Sequence, residues 1–95
     1  MCKKYINYFF KIKVVNINNR PNQFIIDTEE GLFFQSYKSL IAFINNDGQV
    51  FLDKNYWDYS TTTGKYRNIF LNENKKLTLK KIKNNNYILA DLNAN

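Results

Sequence analysis

The sequence predicts an α+β fold, with a small antiparallel meander sheet of four to five strands that carries its helices on one face. The chain has 95 residues, enough for one domain and too few for two. Its first half alternates apolar and polar residues with a period of two, interrupted by turn residues. After residue 60 the apolar residues recur with helical spacing. Strands that precede helices are typical of an α+β domain.

Residues 5–17 form the longest alternating stretch. A period of two over about ten residues indicates a half-buried strand, because successive side chains of a strand point to opposite faces. We expect the even-numbered side chains to point inward: Ile6, Tyr8, Phe10, Ile12 and Val14.

Turn residues divide the next part of the chain into further strands. Residues 18–22 form a turn that contains the only proline, and Asn46-Asp47-Gly48 strongly predicts a hairpin. Between and after these turns the sequence is rich in β-branched and aromatic residues. The predicted strands are Gln23–Asp27, Leu32–Phe34, Ser39–Ile44 and Gln49–Asp53.

The main helix is predicted over residues 62–72. Ser60, Thr61, Thr62 and Thr63 are all suitable N-cap residues. Three apolar side chains after them share the i, i+3, i+4 spacing of a helix face: Tyr66, Ile69 and Phe70.

Residues 77–83 fit two structures. Leu77, Leu79 and Lys81 alternate as in a strand, whereas Leu79 and Ile82, three apart, suit a short helix. We favour the short helix, packed on the same face as the main one. Asn84 to Asn86 then turn the chain into a final strand, Tyr87–Leu92.

The residue types present exclude several kinds of chemistry. Histidine is absent and Cys2 is the only cysteine, so a structural zinc site and a disulfide within the chain are excluded, and a reducing cytoplasm fits this usage. Thr63-Gly64-Lys65 lacks the glycine spacing of a phosphate-binding loop. Asp53 ends a strand and Asp58 precedes a helix, so their spacing predicts no catalytic carboxylate pair. We expect no enzyme activity, no cofactor and no metal.

The N-terminus does not predict secretion or membrane insertion. Its apolar run is interrupted by Asn7, Lys11 and Lys13, and no small-residue cleavage site follows. No segment reaches the roughly 18 consecutive apolar residues of a spanning helix. We therefore expect a cytoplasmic protein without a membrane partner.

The net charge of +6 is unevenly distributed. Residues 1–20 carry five basic and no acidic groups, residues 21–64 two basic and six acidic groups, and residues 65–95 seven basic and two acidic groups. The basic ends could attract nucleic acid or an acidic protein surface. The abundance of Lys, Asn and Ile is equally explained by A/T-rich codon usage.

Two groups of residues are candidates for contact with a partner. Five lysines form a basic cluster over nine residues: Lys75, Lys76, Lys80, Lys81 and Lys83. They could contact phosphates or could form the solvated face of a short helix. With only two arginines in the chain, base-specific reading is disfavoured. Tyr56, Trp57 and Tyr59, with Tyr37 from the hairpin end, form the second group. They could stack on bases or fill a partner's pocket, or they could cap the helix while Trp57 covers the sheet edge.

Much of the chain after residue 31 resembles a family of small uncharacterised proteins encoded by phages, plasmids and other mobile elements of low-GC bacteria. The similar segments are Ser36–Ile44, Gly48, Val50–Leu52, Tyr56–Thr62, Lys65–Arg67, Phe70–Leu71 and Tyr87–Asn93. The resemblance covers residues 32–93, and the run of aspartate, tyrosine and hydroxyl residues before the helix is its most specific part. Lys65 and Arg67, within the similar segments, join the candidate contact residues.

The resemblance implies a mobile-element protein that inhibits or redirects host machinery. We therefore expect a non-catalytic inhibitor of a host defence system, such as an anti-CRISPR protein that binds a host protein or ribonucleoprotein complex. The net positive charge argues against a DNA mimic, which would be acidic. The alternative is a small basic nucleic-acid-binding accessory or regulatory protein.

Overall fold

The structure is a computed structural model that describes residues 12–94. In this part of the chain six strands, two α-helices and a short 3₁₀ helix follow one another. The strands are β1 (Lys13–Asn16), β2 (Gln23–Thr28), β3 (Gly31–Ser36), β4 (Ser39–Asn45), β5 (Val50–Asp53) and β6 (Tyr87–Ala90). The 3₁₀ helix is Ile17–Asn19, and the α-helices are α1 (Thr61–Leu71) and α2 (Lys75–Lys83). The predicted α+β class is confirmed.

The strands lie in the sheet in their order along the chain, from β1 to β6. Strands β1 to β5 form an antiparallel meander, but β6 pairs with β5 in parallel. The sheet is mostly antiparallel, as predicted, but it has six strands instead of four to five, and its last pairing is parallel. The physical reason is the connection: two helices separate β5 from β6, and a crossover of this length lets the chain re-enter the sheet in the same direction.

The main core lies between the sheet and the helices. Cross-strand pairing places Ile25, Phe34, Ala42 and Leu52 in one row on this face, and the last three are completely buried. Phe70 of α1 stacks on Phe34 with ring centroids 5.7 Å apart. Tyr66 of the predicted helix stripe is buried in the same core, but Ile69 is 43% exposed, so its predicted inward position is wrong.

The opposite face of the sheet carries a second apolar row. Ile26, Phe33, Phe43, Phe51 and Ile88 are cross-strand partners in succession from β2 to β6. The rings of Phe33 and Phe43 stack 4.3 Å apart, and those of Phe43 and Phe51 lie 5.9 Å apart. Such pairs stabilise a sheet beyond the area that they bury.

The first predicted strand is seen only at its end. Residues 5–11 of that prediction lie outside the described residues, and β1 occupies Lys13–Asn16. Val14, expected to point inward, is 54% exposed, so its predicted inward position is wrong. Val14 pairs with Ile26, the partner of Phe33, so it lies on the sheet face opposite the helices. Among the described strands, β1 is also at the sheet edge. Ile17, in the following 3₁₀ helix, is buried instead.

Both predicted helices are confirmed, and polar residues define their ends. The Ser60 side chain accepts a hydrogen bond from the Thr63 N–H at the start of α1. Asn74 does the same for Leu77 in α2, so residues 77–83 are helical rather than extended. Between the helices, Asn72 adopts the left-handed conformation with φ 56°, which ends α1.

Candidate partner-binding site

A cleft of about 500 Å³ opens where the β3–β4 turn faces the loop before α1. Three parts of the chain form it: the turn at residues 36–39, the loop at residues 54–60 and the first turn of α1. Its side chains include Tyr37, Lys38, Ser39, Tyr56, Tyr59 and Thr63. We call this the tyrosine cleft. It brings together three of the four aromatic residues that the sequence singled out.

Tyr37 occupies an unusual backbone position at one side of the tyrosine cleft. It is the first residue of a two-residue turn between Ser36 and Ser39, which are cross-strand partners, and its φ is 56°. A bulky residue rarely adopts positive φ because its Cβ is crowded. Two hydrogen bonds hold it there: its N–H donates to the Asn22 carbonyl at 2.7 Å, and its own carbonyl accepts from the Gln35 side chain at 2.8 Å. The side chain remains 54% exposed.

The other two tyrosines belong to a loop that Asp53 anchors. Asp53 is completely buried, and its Oδ2 accepts hydrogen bonds from the N–H groups of Asn55 and Tyr56 at 3.0 and 2.9 Å. Its Oδ1 accepts from the Leu92 N–H at 2.8 Å, which joins the loop to the C-terminal segment. The carboxylate therefore serves to order the backbone of the loop.

Tyr56 and Tyr59 contact each other edge to face on this anchored loop. Their ring centroids are 5.4 Å apart and the rings are inclined by 60°. Tyr56 is half-buried, whereas Tyr59 is 70% exposed. No hydrogen bond to the hydroxyl of Tyr37, Tyr56 or Tyr59 comes from anywhere in residues 12–94. These hydroxyls are available to a ligand.

The floor of the tyrosine cleft is polar but internally satisfied. The buried hydroxyls of Ser36 and Thr63 are 3.1 Å apart, and Ser60 donates to Thr63 at 3.1 Å. This network ties β3 to the first turn of α1. It therefore holds the two sides of the cleft at a set separation.

Trp57 and Arg67 do not line the cleft: Arg67 is buried, and Trp57 is half-buried. Arg67 is 1% exposed, and its guanidinium carbon lies 5.1 Å from the centroid of the Trp57 ring. Nη1 of Arg67 donates to the Trp57 carbonyl and to Asp58 Oδ1, both at 2.8 Å, and Nη2 donates to Asn68 Oδ1 at 2.9 Å. Trp57 itself packs against the main core. These two candidates therefore support the loop from within.

Asp58 connects Arg67 to the second helix. Its Oδ2 lies 2.6 Å from the Lys75 ammonium. Partial burial acts to raise the pKa of Asp58, but hydrogen bonds from Lys75 and Arg67 outweigh it and hold that pKa below its usual value.

The lysines of the predicted cluster differ in charge compensation. Lys81 bonds Glu73 at 2.9 Å and Lys75 pairs with Asp58, so two of these five lysines are compensated by carboxylates. Lys76 and Lys80 are exposed. Lys65, on α1, lies with its ammonium 5.5 Å from the centroid of the Tyr66 ring. None of these side chains lines the tyrosine cleft.

Comparison with known proteins places the chain in a family. A family model described as "Family of unknown function (DUF8033)" matches residues 3–86. The chain belongs to the DUF8033 family. No curated protein and no solved structure matches it. The family match begins at residue 3, so it includes most of the N-terminal segment that the resemblance described above leaves out.

Some of the residues with which this DUF8033 chain lines the tyrosine cleft were not predicted from the sequence. Asn22, Lys38 and Ser39 also line it. A polar turn between two strands was the available signal, since residues 36–39 connect segments rich in apolar residues. It was not decisive because most hairpin turns are polar for reasons of solvation alone.

Within residues 12–94 no group of three or more Asp, Glu, Cys or His side chains is arranged to hold a metal ion. Over that range no helix combines the length and the apolar character needed to cross a membrane.

Proposed function

We propose that this protein is a non-catalytic binding protein that inhibits a host defence system, such as an anti-CRISPR inhibitor of a nuclease complex. It acts in the cytoplasm of a bacterial host and uses the tyrosine cleft as its contact surface. One observation carries the choice of surface: Tyr37 and Tyr59 are exposed beside Tyr56 on two braced segments. Exposed tyrosines on rigid supports are frequent anchors of protein interfaces, because they bury a large area at little cost in conformational entropy.

The hydrogen bonds that hold the tyrosine-bearing segments favour a role of these tyrosines in binding over a merely structural role. Asp53 orders the loop that carries Tyr56 and Tyr59, and the Ser36–Thr63 contact fixes the turn that carries Tyr37. A preorganised surface loses little freedom on association, so more of its contact energy appears as affinity. The choice of a host defence complex as the partner rests on the resemblance to mobile-element proteins.

The alternative is a small basic nucleic-acid-binding accessory or regulatory protein. Exposed Lys76 and Lys80 favour it, together with the net charge of +6. The pairing of Lys75 with Asp58 and of Lys81 with Glu73 weighs against it, because compensated lysines release fewer counterions on binding phosphate.

Affinity capture with two matched variants separates the two functions. The native chain, Tyr59→Ala and Leu79→Ala are each used to capture partners from a host lysate, with and without nuclease treatment. Tyr59 and Leu79 are both exposed, at 70% and 46%, so neither change should unfold the domain. We expect one nuclease-resistant partner complex that is retained by Leu79→Ala and lost by Tyr59→Ala.

The purified partner then decides the functional part of the proposal. Addition of the native chain should inhibit the partner's nuclease activity. Tyr59→Ala should require a concentration at least about thirtyfold higher for the same inhibition, because loss of an interface anchor lowers the binding free energy by about 2 kcal/mol. Capture that disappears on nuclease treatment and is weakened by joint neutralisation of Lys76 and Lys80 would instead support the nucleic-acid-binding function.

A further inference from the structure

We infer that the ligand of the tyrosine cleft is a proline-rich segment of the partner in the extended polyproline II conformation. This inference rests on the proposed function and deepens it by naming the chemistry that the cleft recognises. Grooves lined with aromatic side chains bind such segments because proline rings pack flat against aromatic rings and the segment is already rigid.

The tyrosines present suitable surfaces for proline rings. Tyr56 and Tyr59 meet edge to face, with an inclination of 60°, so their rings form a notch rather than a flat wall. Tyr37 projects from the opposite turn and is held there at a φ of 56°. A ligand that lies between the turn and the loop can therefore contact aromatic rings from both sides.

The tyrosine hydroxyls of the cleft can donate hydrogen bonds to a chain that offers carbonyl oxygens. Proline residues offer carbonyl oxygens and no backbone donor, and polyproline II leaves these carbonyls without internal partners. The hydroxyls of Tyr37, Tyr56 and Tyr59 have no partner within residues 12–94, and each can donate to a carbonyl. By contrast, the Tyr87 hydroxyl, outside the cleft, is already committed to Glu73 at 2.7 Å.

The charge of the cleft selects further among proline-rich segments. Among residues 12–94, Lys38 is the one charged side chain that lines it, and no carboxylate of that range does so. A ligand with an acidic residue beside its prolines would pair with the Lys38 ammonium, whereas a basic residue there would meet a like charge. We therefore assign the cleft to a proline-rich segment flanked by Asp or Glu.

The test is a titration of the full chain with synthetic ligands, followed by NMR of the tyrosine rings. The ligands are an oligoproline with a flanking Glu, the same peptide with a flanking Lys, a glycine–serine peptide of equal length and oligothymidylate. We expect the Glu-flanked oligoproline to bind most tightly and to shift the rings of Tyr37, Tyr56 and Tyr59. The glycine–serine peptide should not bind.

Variants show whether the hydroxyls and rings act as inferred. Tyr59→Phe should weaken the Glu-flanked oligoproline about fivefold, as loss of one hydrogen bond predicts. Tyr59→Ala should weaken it about thirtyfold or more, whereas Leu79→Ala should leave it unchanged. Lys38→Ala should abolish the preference for the flanking Glu over the flanking Lys.

The result distinguishes failure of this inference from failure of the proposed function. Binding of oligothymidylate in preference to oligoproline would overturn the inference, and so would equal binding of the glycine–serine peptide. If neither proline peptide shifts the tyrosine rings while partner capture still depends on Tyr59, the inference is wrong and the proposed function stands. If capture is independent of Tyr59 as well, both fail.

Discussion

The Arg67 guanidinium lies 2.8 Å from the Asp58 carboxylate in a setting where Arg67 is 1% exposed and Asp58 is 27% exposed. The ion pair connects the middle of α1 to the loop that carries Tyr56 and Tyr59. A buried charge without its partner is strongly destabilising, so the stability of this loop depends on the pair being intact.

Replacement of Arg67 should therefore destabilise the fold far more than replacement of Lys75, although both bind Asp58. We expect Arg67→Ala to lower the free energy of unfolding by about 2–5 kcal/mol, because it empties a buried position and removes the hydrogen bonds to Trp57, Asp58 and Asn68. Lys75 is 53% exposed, and Lys75→Ala should cost no more than about 1 kcal/mol, since exposed ion pairs contribute little. Urea unfolding followed by Trp57 fluorescence measures both, and equal losses would contradict the structural role of Arg67.

Gly64→Ala should stabilise the protein. Gly64 lies within α1, where glycine costs about 1 kcal/mol relative to alanine. A Cβ at this position would lie 3.4 Å from Asp58 Oδ1 and 3.6 Å from Arg67 Nη2, which are ordinary contact distances. We expect the free energy of unfolding to rise by up to about 1 kcal/mol. Gly64→Leu is the control, and its larger side chain should displace the Arg67–Asp58 pair and lower stability.

Adjacent phenylalanines of β3 should differ in their contribution to stability. Phe34 is completely buried and stacks on Phe70, whereas Phe33 is half-buried on the opposite face of the sheet. Phe34→Ala should cost about 3–5 kcal/mol, the usual cost of emptying a large core position. Phe33→Ala should cost less. The same loss for both in a denaturant series would show that the two faces contribute equally.

Tyr37→Gly should uncouple stability from binding. Glycine adopts positive φ without steric cost, so relief of the backbone at Tyr37 should raise the free energy of unfolding by about 1 kcal/mol. Loss of the ring should at the same time weaken capture of the partner. Calorimetry and the capture assay measure the two effects, and a variant that is more stable yet binds normally would remove Tyr37 from the site.

The protein should lose stability in acid through Asp58 and Glu73. The pKa of each carboxyl is raised by partial burial but lowered more by its hydrogen bonds, with a net position below the usual 3.8 for Asp58 and 4.5 for Glu73. A lowered pKa in the folded state means that the unfolded state binds more protons, so the stabilisation is present above these usual values and is lost as the pH falls below them.

Unfolding measurements from neutral pH down to strongly acidic pH test this dependence. Glu73→Gln should be less stable than the native chain at neutral pH and should show a shallower loss of stability in acid. Asp91→Asn, at an exposed position, is the control and should leave the acid dependence unchanged. An unaltered acid profile in Glu73→Gln would mean that this carboxyl does not contribute to it.

Local patterns predicted most elements because their signals are local. The hairpin at Asn46-Asp47-Gly48 depends on turn residues, and the start of α1 depends on a hydroxyl side chain close to its own N–H partner. Residues 77–83 were ambiguous between helix and strand. The helix prevails because Asn74 caps it, and Glu73 accepts hydrogen bonds from Thr78 and Lys81.

The roles of the candidate contact residues could not be predicted from local sequence patterns. Trp57 and Tyr59 are two positions apart and equally suited to recognition, but the first packs against the core and the second is 70% exposed. Likewise, Lys75 and Lys76 are neighbours, and Lys75 alone faces Asp58. Exposure and charge compensation depend on which distant segment lies opposite each side chain.

The sequence by itself determined the α+β class, the positions of most strands and of the main helix, and the absence of histidine chemistry, since these follow from residue types and their spacing along the chain. Only the tertiary structure decided that β6 lies parallel to β5, that Arg67 is buried, and that Tyr37 faces Tyr56 and Tyr59 across one cleft. The physical reason is that these features are contacts between segments far apart in the chain. Such contacts depend on how the whole domain packs, and a local sequence pattern does not predict that packing.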